Sequence, residues 1–279
     1  MPATSNQTAK LPVFRHLLLS LLLMTTTWSM QLNATHHDHS QTVQQIEEKI
    51  ANASKTQRDQ TLGIILDLSN MDLGEQVSSN ALKQVLQSIG NKDIQTLKLG
   101  ANNLSSFEGD GVKTVLSGLD NTNVTAIGLR ENDLASMGGK ELKTALTGLD
   151  NTDVTMISLA QNDLASRGGD ELKIALTGLD NTKVTTLILI GNDLALLKGR
   201  GLKTALTGLN NTNIDVLGLS QNNLYSISGK PLKTALKEGL AGTGVEQVNL
   251  TYNGGKLIKD KLEKDLTNKH GKQINVIVE

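Results

Sequence analysis

The chain has 279 residues, a formal net charge of −1 and an aromatic content of 2%. This composition disfavours nucleic-acid binding, which depends on a basic surface and on stacking aromatic side chains. Because the chain contains no cysteine, disulfide bonds and thiolate metal sites are excluded. Hydrophobic residues make up 38%, a poor supply for one compact core but enough for stacked repeats, which bury only a small share each.

Residues 1–35 are predicted to be an export signal. Lys10 and Arg15 give a basic start, residues 17–24 (LLLSLLLM) form an apolar run, and residues 25–29 are mostly small and polar, which is the order of a secretory signal. The apolar run is too short to cross a bilayer, which takes ~20 residues. We therefore expect an exported protein (secreted, periplasmic or at the cell surface) with no stable membrane insertion once the signal is removed. An uncleaved interfacial or buried segment is the alternative.

Residues 36–60 are predicted to be a polar linker followed by an N-terminal capping helix. The linker contains His36, His37 and His39, but no second ligand cluster in the sequence would complete a coordination sphere, so we predict no metal site and no cofactor. The helix is indicated by apolar residues at helical spacing, namely Val43, Ile46, Ile50 and Ala53.

Residues 61–255 are organised as repeats of about 30 residues, because the same residue types recur at that step. Asparagine, leucine and glycine each form such a series, the asparagines being Asn102, Asn132, Asn162, Asn192 and Asn222. Within one unit, Val124, Ile127 and Leu129 indicate a short strand. A helix follows whose apolar stripe recurs at i, i+3, i+4 and i+7, formed by Leu142, Ala145, Leu146 and Leu149. Gly138 and Gly139 are interpreted as the turn before that helix.

The recurring asparagine is predicted to have a structural role. It follows the strand, where the chain turns inward and backbone groups lose their ladder partners. An amide side chain both donates and accepts hydrogen bonds, so stacked asparagines are expected to connect the turns of neighbouring units.

The fold class predicted from this pattern is α/β: a solenoid with a parallel β-sheet on the concave face and helices on the convex face. Helices need more room than strands, so the stack is expected to bend into an open horseshoe. Residues 256–279 are predicted to close it with a cap helix, using Leu257, Leu262 and Leu266, and a last strand. That strand is indicated by the alternation of Ile274, Val276 and Val278.

The repeat pattern resembles the ribonuclease-inhibitor-like subfamily of leucine-rich repeats. The motif L-x-L-x-x-N-x-L followed by a helix appears as IGLRENDL (127–134), ISLAQNDL (157–164), LILIGNDL (187–194) and LGLSQNNL (217–224). The resemblance covers about residues 60–255 and implies the solenoid fold. With a signal-like start and no cysteine, the chain is most similar to secreted bacterial effector-type members, and this resemblance implies a protein partner, with a host-cell protein as one candidate.

Candidate binding residues lie at the exposed positions of the concave side, called the sheet face below. Three columns of such positions are predicted to run across the strands, and they vary while the framework repeats. Met156, Ile188, Ile190 and Val216 are expected to form one apolar patch, with Arg130 and Glu131 beside it. Exposed apolar patches mark interaction sites, although drift among recently copied repeats is the alternative reading.

No catalytic constellation is recognisable, since no histidine lies within the repeats. A lysine column on the convex side (Lys83, Lys113, Lys143, Lys173, Lys203 and Lys233) is interpreted as solvated charge. We predict a non-catalytic, monomeric protein-interaction module that binds no nucleic acid. A regulatory protein such as a GTPase activator, or a structural surface or periplasmic repeat protein, is the alternative.

Overall fold

The computed structural model describes residues 41–53, 58–59, 63–227, 229–254 and 266–278. The chain divides into two units, residues 1–41 and 42–279, and the description below concerns the second. The predicted export segment, the histidines at positions 36–39, and Leu257 and Leu262 of the predicted cap helix lie outside the described residues.

One open sheet contains all the strands of the described part of the chain, in sequence order. The strand β1 (Arg58–Asp59) is antiparallel to β2 (Gly63–Asp67), and each later strand is parallel to the one before it. The later strands are β3 (Ile94–Lys98), β4 (Ala126–Gly128), β5 (Met156–Ser158), β6 (Thr186–Ile188), β7 (Val216–Gly218), β8 (Gln247–Asn249) and β9 (Asn275–Ile277).

The helices connect successive strands, as parallel pairing requires. A first helix, α1, covers residues 41–53. The others are α2 (Leu73–Gln76), α3 (Ser79–Gln87), α4 (Glu108–Leu116), α5 (Gly138–Leu146), α6 (Gly169–Leu176), α7 (Lys198–Leu206) and α8 (Lys230–Leu240). Short 3-10 turns flank them at Ser88–Asn91, Leu104–Phe107, Ser117–Leu119, Leu134–Met137, Thr147–Leu149, Thr177–Leu179, Leu194–Leu197, Thr207–Leu209 and Leu224–Ile227.

The helix boundaries differ from the sequence prediction. Leu149 is buried, as expected, but α5 ends at Leu146 and Leu149 lies in the 3-10 turn that follows. The chain tightens there because Gly148 packs against the backbone of the preceding repeat: an added Cβ would lie 2.6 Å from the Lys113 carbonyl oxygen. Gly138 and Gly139 are the first residues of α5, and the turn precedes them.

The core lies between the sheet and the helices. In the repeat of Asn162, Ile157 and Leu159 come from the strand side and Leu172 and Leu176 from the helix, and all four are buried. The same arrangement recurs along the stack, so each repeat buries its apolar residues against its neighbours.

The predicted asparagine ladder is confirmed. The Asn162 Oδ1 atom accepts from the backbone N–H groups of Asn132 (2.9 Å) and Leu134 (3.2 Å). Its Nδ2 atom donates to the carbonyl oxygens of Leu129 (2.9 Å) and Ala160 (3.1 Å). Asn102, Asn132, Asn192, Asn222 and Asn253 make equivalent bonds and are equally buried. The ladder fixes the distance between successive turns and hence the register of the sheet.

Both ends of the stack are covered by atypical elements. Ile46, Ile50 and Ala53 of α1, three of the residues on which the capping helix was predicted, are buried. The strand β1, which the sequence did not predict, pairs with the outer edge of β2 at Gly63 and Ile64 and so covers part of an edge that would otherwise be open to further pairing. At the other end Leu266, Ile274 and Val276 are buried, and β9 lies within the residues for which a last strand was predicted. In the described part of the chain, no helix combines the length and the apolar character needed to cross a membrane.

Candidate functional site: the sheet face

The sheet face is assembled from three columns of side chains, and the strand register confirms their alignment. The first column links Thr96, Ala126, Met156, Thr186, Val216 and Gln247, and the second links Lys98, Gly128, Ser158, Ile188, Gly218 and Asn249. Side chains at alternate positions, such as Ile127 and Ile157, point into the core and are buried. The third column follows the strands and contains Gly100, Arg130, Ala160, Ile190, Ser220 and Thr251, joined by backbone hydrogen bonds between neighbouring turns.

The predicted apolar patch is centred on Ile188. In the parallel register, Ser158 and Gly218 lie directly beside Ile188, and Met156 and Val216 lie on its two diagonals. Diagonal neighbours in a sheet are within reach of long side chains. Ile190 follows on the same chain, two residues further along. All four residues of the apolar patch are half-buried, because they lie on a sheet and shield one another and their neighbours.

Ile188 leans over Gly218, whose missing side chain leaves room for it. A Cβ added to Gly218 would lie 3.6 Å from both the Cα and Cγ2 atoms of Ile188. Gly218 is consequently buried although it belongs to an exposed column. Ile188 itself is half-buried, so part of its hydrocarbon surface is open to the solvent.

Not every position of the columns is exposed, which corrects the prediction. Thr96, Ala160, Ser220 and Thr251 are buried. The Ser220 and Thr251 hydroxyl oxygens are 2.9 Å apart and hydrogen-bonded to each other. Paired hydroxyls of this kind belong to the framework, because a buried polar group needs a partner.

The opposite half of the sheet face is polar and contains a depression of about 500 Å³. Its floor has little side-chain volume, with glycine at positions 100 and 128, and a Cβ added to Gly128 would meet nothing within 4 Å. Asp67 and Lys98 lie on one side, with their charged atoms 3.8 Å apart. Arg130 and Glu131 lie on the other and form an exposed ion pair of 2.6 Å.

Arg130 and Glu131 therefore lie on the polar half of the sheet face, not within the apolar patch, and their charges compensate each other. Asp67 also has its own partners. Burial alone would raise the pKa of this carboxyl, but the Ser69 N–H (3.0 Å) and hydroxyl, together with Lys98 and Lys49, outweigh it and lower the pKa. The lowered pKa favours the charged form of Asp67, and the two ion pairs leave the polar half without a strong field of one sign.

Sequence reasoning missed three exposed apolar side chains, Leu196, Tyr225 and Tyr252, called the tyrosine rim below. They are 67%, 55% and 69% exposed, respectively. They lie in the turns that follow β6, β7 and β8, outside the three columns of the sheet face. A comparison of equivalent positions between repeats would have found them, because Leu196 replaces Ser106, Ser136 and Ser166, and Tyr225 replaces Ala135, Ala165 and Ala195.

The described residues contain no group of three or more histidine, cysteine, aspartate or glutamate side chains placed to hold a metal ion. Three aspartates with partly buried carboxylates instead lie at equivalent positions of successive repeats. Asp120, Asp150 and Asp180 each have one buried carboxylate oxygen without a hydrogen-bond partner. Burial raises the pKa of Asp150 and Asp180, against the attraction of Lys113 and Lys143, respectively.

The comparison with solved structures identifies the fold. The crystal structure of the leucine-rich repeat-containing protein LegL7 from Legionella pneumophila superposes with a TM-score of 0.59 at 26% sequence identity, over 74% of this chain. This chain folds as a leucine-rich-repeat solenoid. The aligned part corresponds to 61% of the LegL7 chain, so the match spans less than two thirds of that protein. No protein-family model matches the sequence, and comparison with curated proteins gave no significant match.

Proposed function

We propose that this leucine-rich-repeat chain is a non-catalytic interaction module that binds a protein partner through the apolar patch of its sheet face. The observation that carries the proposal is the pair Ile188 and Ile190, which occupy outward positions of two adjacent columns. At the same positions other repeats carry Lys98, Gly128, Arg130 or Ser220. The solenoid thus tolerates polar residues there, so its stability does not require isoleucine.

The partner is expected to offer an apolar surface that covers Ile188 and its diagonal neighbours. Burial of apolar area contributes roughly 25 cal/mol per Å², and the low content of aromatic residues on this face argues for moderate affinity, because strong hot spots favour Trp, Tyr and Arg. The signal-like residues 1–35, together with the resemblance of the repeats to secreted bacterial effector-type proteins, support an exported protein whose partner belongs to a host cell. Sequencing the N-terminus of the protein recovered outside the cytoplasm would test the export part.

The binding proposal is tested with an affinity pulldown in which the whole chain is compared with a variant of the patch. The variant combines Ile188→Lys with Ile190→Arg, residues that Lys98 and Arg130 already place in the same columns. The matched control combines Lys98→Gly with Arg130→Ala, which alters the polar half with residues that Gly128 and Ala160 already provide. Circular dichroism verifies the fold of each.

A partner retained by the native chain and by the control but lost by the patch variant supports the proposal. Loss only in the control would place the interaction at the polar depression instead. A partner that survives both changes would contradict binding through the sheet face.

A further inference from the structure

The tyrosine rim is a compact cluster in consecutive repeats. The turn that carries Leu196 lies beside the one that carries Tyr225, since the Ala195 N–H donates to the Asn222 carbonyl oxygen (3.2 Å). The Tyr225 N–H in turn donates to the Asn253 carbonyl oxygen (3.0 Å), next to Tyr252. Both tyrosines of the whole chain are therefore exposed in one place.

The fold itself does not require these side chains. Serine or alanine is found at the places of Leu196 and Tyr225 in most other repeats. Tyr252 has a φ of +57°, a left-handed conformation that is unfavourable for a bulky residue. The equivalent turn position holds smaller or more flexible residues in other repeats, such as Ala101, Gln161 and Gly191.

The charge around the tyrosine rim is the reverse of that in the earlier repeats. Residues 194–237 contain six basic residues and one acidic residue, whereas the equivalent window, residues 104–147, contains four basic and six acidic residues. Exposed Lys198, Arg200 and Lys230 begin α7 and α8. Arg200 and Lys230 line one shallow groove between these helices.

The acidic side chains that cover the starts of earlier helices are also missing here. Glu141 accepts a hydrogen bond from the Gly109 N–H (3.0 Å), and Glu171 accepts one from the Gly139 N–H (2.6 Å). In α7 and α8 the equivalent positions hold Gly201 and Pro231. The exposed apolar residues are thus adjacent to helices that lack these two glutamates.

We propose that the tyrosine rim, together with Lys198, Arg200 and Lys230, is a peripheral binding site for an anionic lipid surface. Leu196, Tyr225 and Tyr252 protrude from turns, a geometry suited to shallow insertion between headgroups. Tyrosine favours the membrane–water interface. Lysine and arginine near an anionic leaflet each add about 1 kcal/mol of attraction. This site is separate from the apolar patch, so it does not depend on the function proposed above.

The test measures co-sedimentation of the whole chain with phosphatidylcholine vesicles and with vesicles that contain 30% phosphatidylserine. One variant, Leu196→Ser with Tyr225→Ala, restores the residues of the other repeats. A second, Arg200→Asp, introduces the residue that Asp170 places at the equivalent position of α6. The matched control is Lys140→Asp, the same charge change at the equivalent position of α5.

We expect binding to the anionic vesicles only. Arg200→Asp should weaken it at least fivefold, by about the contribution of one basic residue, and Leu196→Ser with Tyr225→Ala should weaken it about tenfold. Lys140→Asp should leave it unchanged within about twofold, because a distant exposed charge is screened. The proposal is overturned if the native chain does not bind the anionic vesicles. An acidic protein would then be the alternative ligand of the tyrosine rim. It is equally overturned if Lys140→Asp weakens binding as much as Arg200→Asp.

Discussion

The repeats that contain α4 to α6 and those that contain α7 and α8 share one framework but present different surfaces. Both have the same strand register, the same buried asparagines and the same close approach of glycine to the preceding repeat. The first group is rich in acidic residues and borders the polar depression, whereas the second is basic and carries the tyrosine rim. Because the framework is constant, the difference between the two regions reflects surface residues that are free to vary, and those are the residues that function can use.

The largest loss of stability is expected from breaking the asparagine ladder between the two regions. Asn192→Ala would leave the buried N–H groups of Asn162 and Leu164 without their acceptor, and each unsatisfied group costs about 1–3 kcal/mol. We expect a loss of about 3 kcal/mol or more in the free energy of unfolding, measured by urea denaturation with circular dichroism. Because repeats interact only with their neighbours, the two regions should then unfold in separate steps.

The matched control for that experiment is Gln161→Ala, at the exposed position next to Asn162, where an earlier repeat has Ala101. It should change stability by less than about 0.5 kcal/mol. An Asn192→Ala protein that unfolds at the same urea concentration as this control would show that the ladder is not what couples the two regions.

A smaller loss of stability, equal in both regions, is expected from substituting the glycines that contact the preceding repeat, because these glycines belong to the common framework. Cβ atoms added to Gly148 and to Gly208 would each lie 2.6 Å from a carbonyl oxygen of the preceding repeat, that of Lys113 and Lys173, respectively. Gly148→Ala and Gly208→Ala should each cost about 1–3 kcal/mol through overpacking. Thermal unfolding would measure both. The control Gly168→Ala separates steric conflict from backbone strain, because a Cβ added there would meet no atom within 4 Å although the φ is +91°. Unequal losses of stability at positions 148 and 208 would mean that the frameworks of the two regions differ.

The smallest change in stability is expected at a column of equivalent positions that holds aspartate in one region and asparagine in the other. Asp120, Asp150 and Asp180 are followed at the next equivalent position by Asn210. Since burial raises the pKa of Asp150 and Asp180, the folded protein retains their protons over a pH range in which the unfolded chain has lost them. Stability therefore falls as the pH rises from the unfolded pKa through the folded pKa. Asp180→Asn should stabilise the protein at pH 7 by less than about 1 kcal/mol.

This gain should disappear at pH 3, where the carboxyl group is protonated in both states. Urea denaturation at the two pH values measures it, and the matched substitution is Asn210→Asp, which should destabilise the protein at pH 7 only. Stabilisation by Asp180→Asn at both pH values would show that the charge is not the cause.

The sequence alone determined the architecture, because the same pattern of strand, turn and helix residues recurs about every 30 residues. Ile127 and Leu129 specify a buried strand face, Leu142 and Leu146 a buried helix face, and Asn132 the turn between them, so strand order and column alignment follow from stacking. The α1 cap and the last strand were also legible, since Ile46, Ile50, Ile274 and Val276 keep their apolar spacing. These features depend on local periodicity, which a single sequence displays.

Only the tertiary structure decided what the surface offers. The burial of Ala160 and Ser220, the position of Ile188 over Gly218, and the half-buried state of the apolar patch depend on contacts between residues about 30 positions apart. The 3-10 ends of the helices and the strand β1 likewise follow from close approach between neighbours. The tyrosine rim was visible in the sequence only as scattered substitutions, because exposure is a property of how repeats stack and not of the residues themselves.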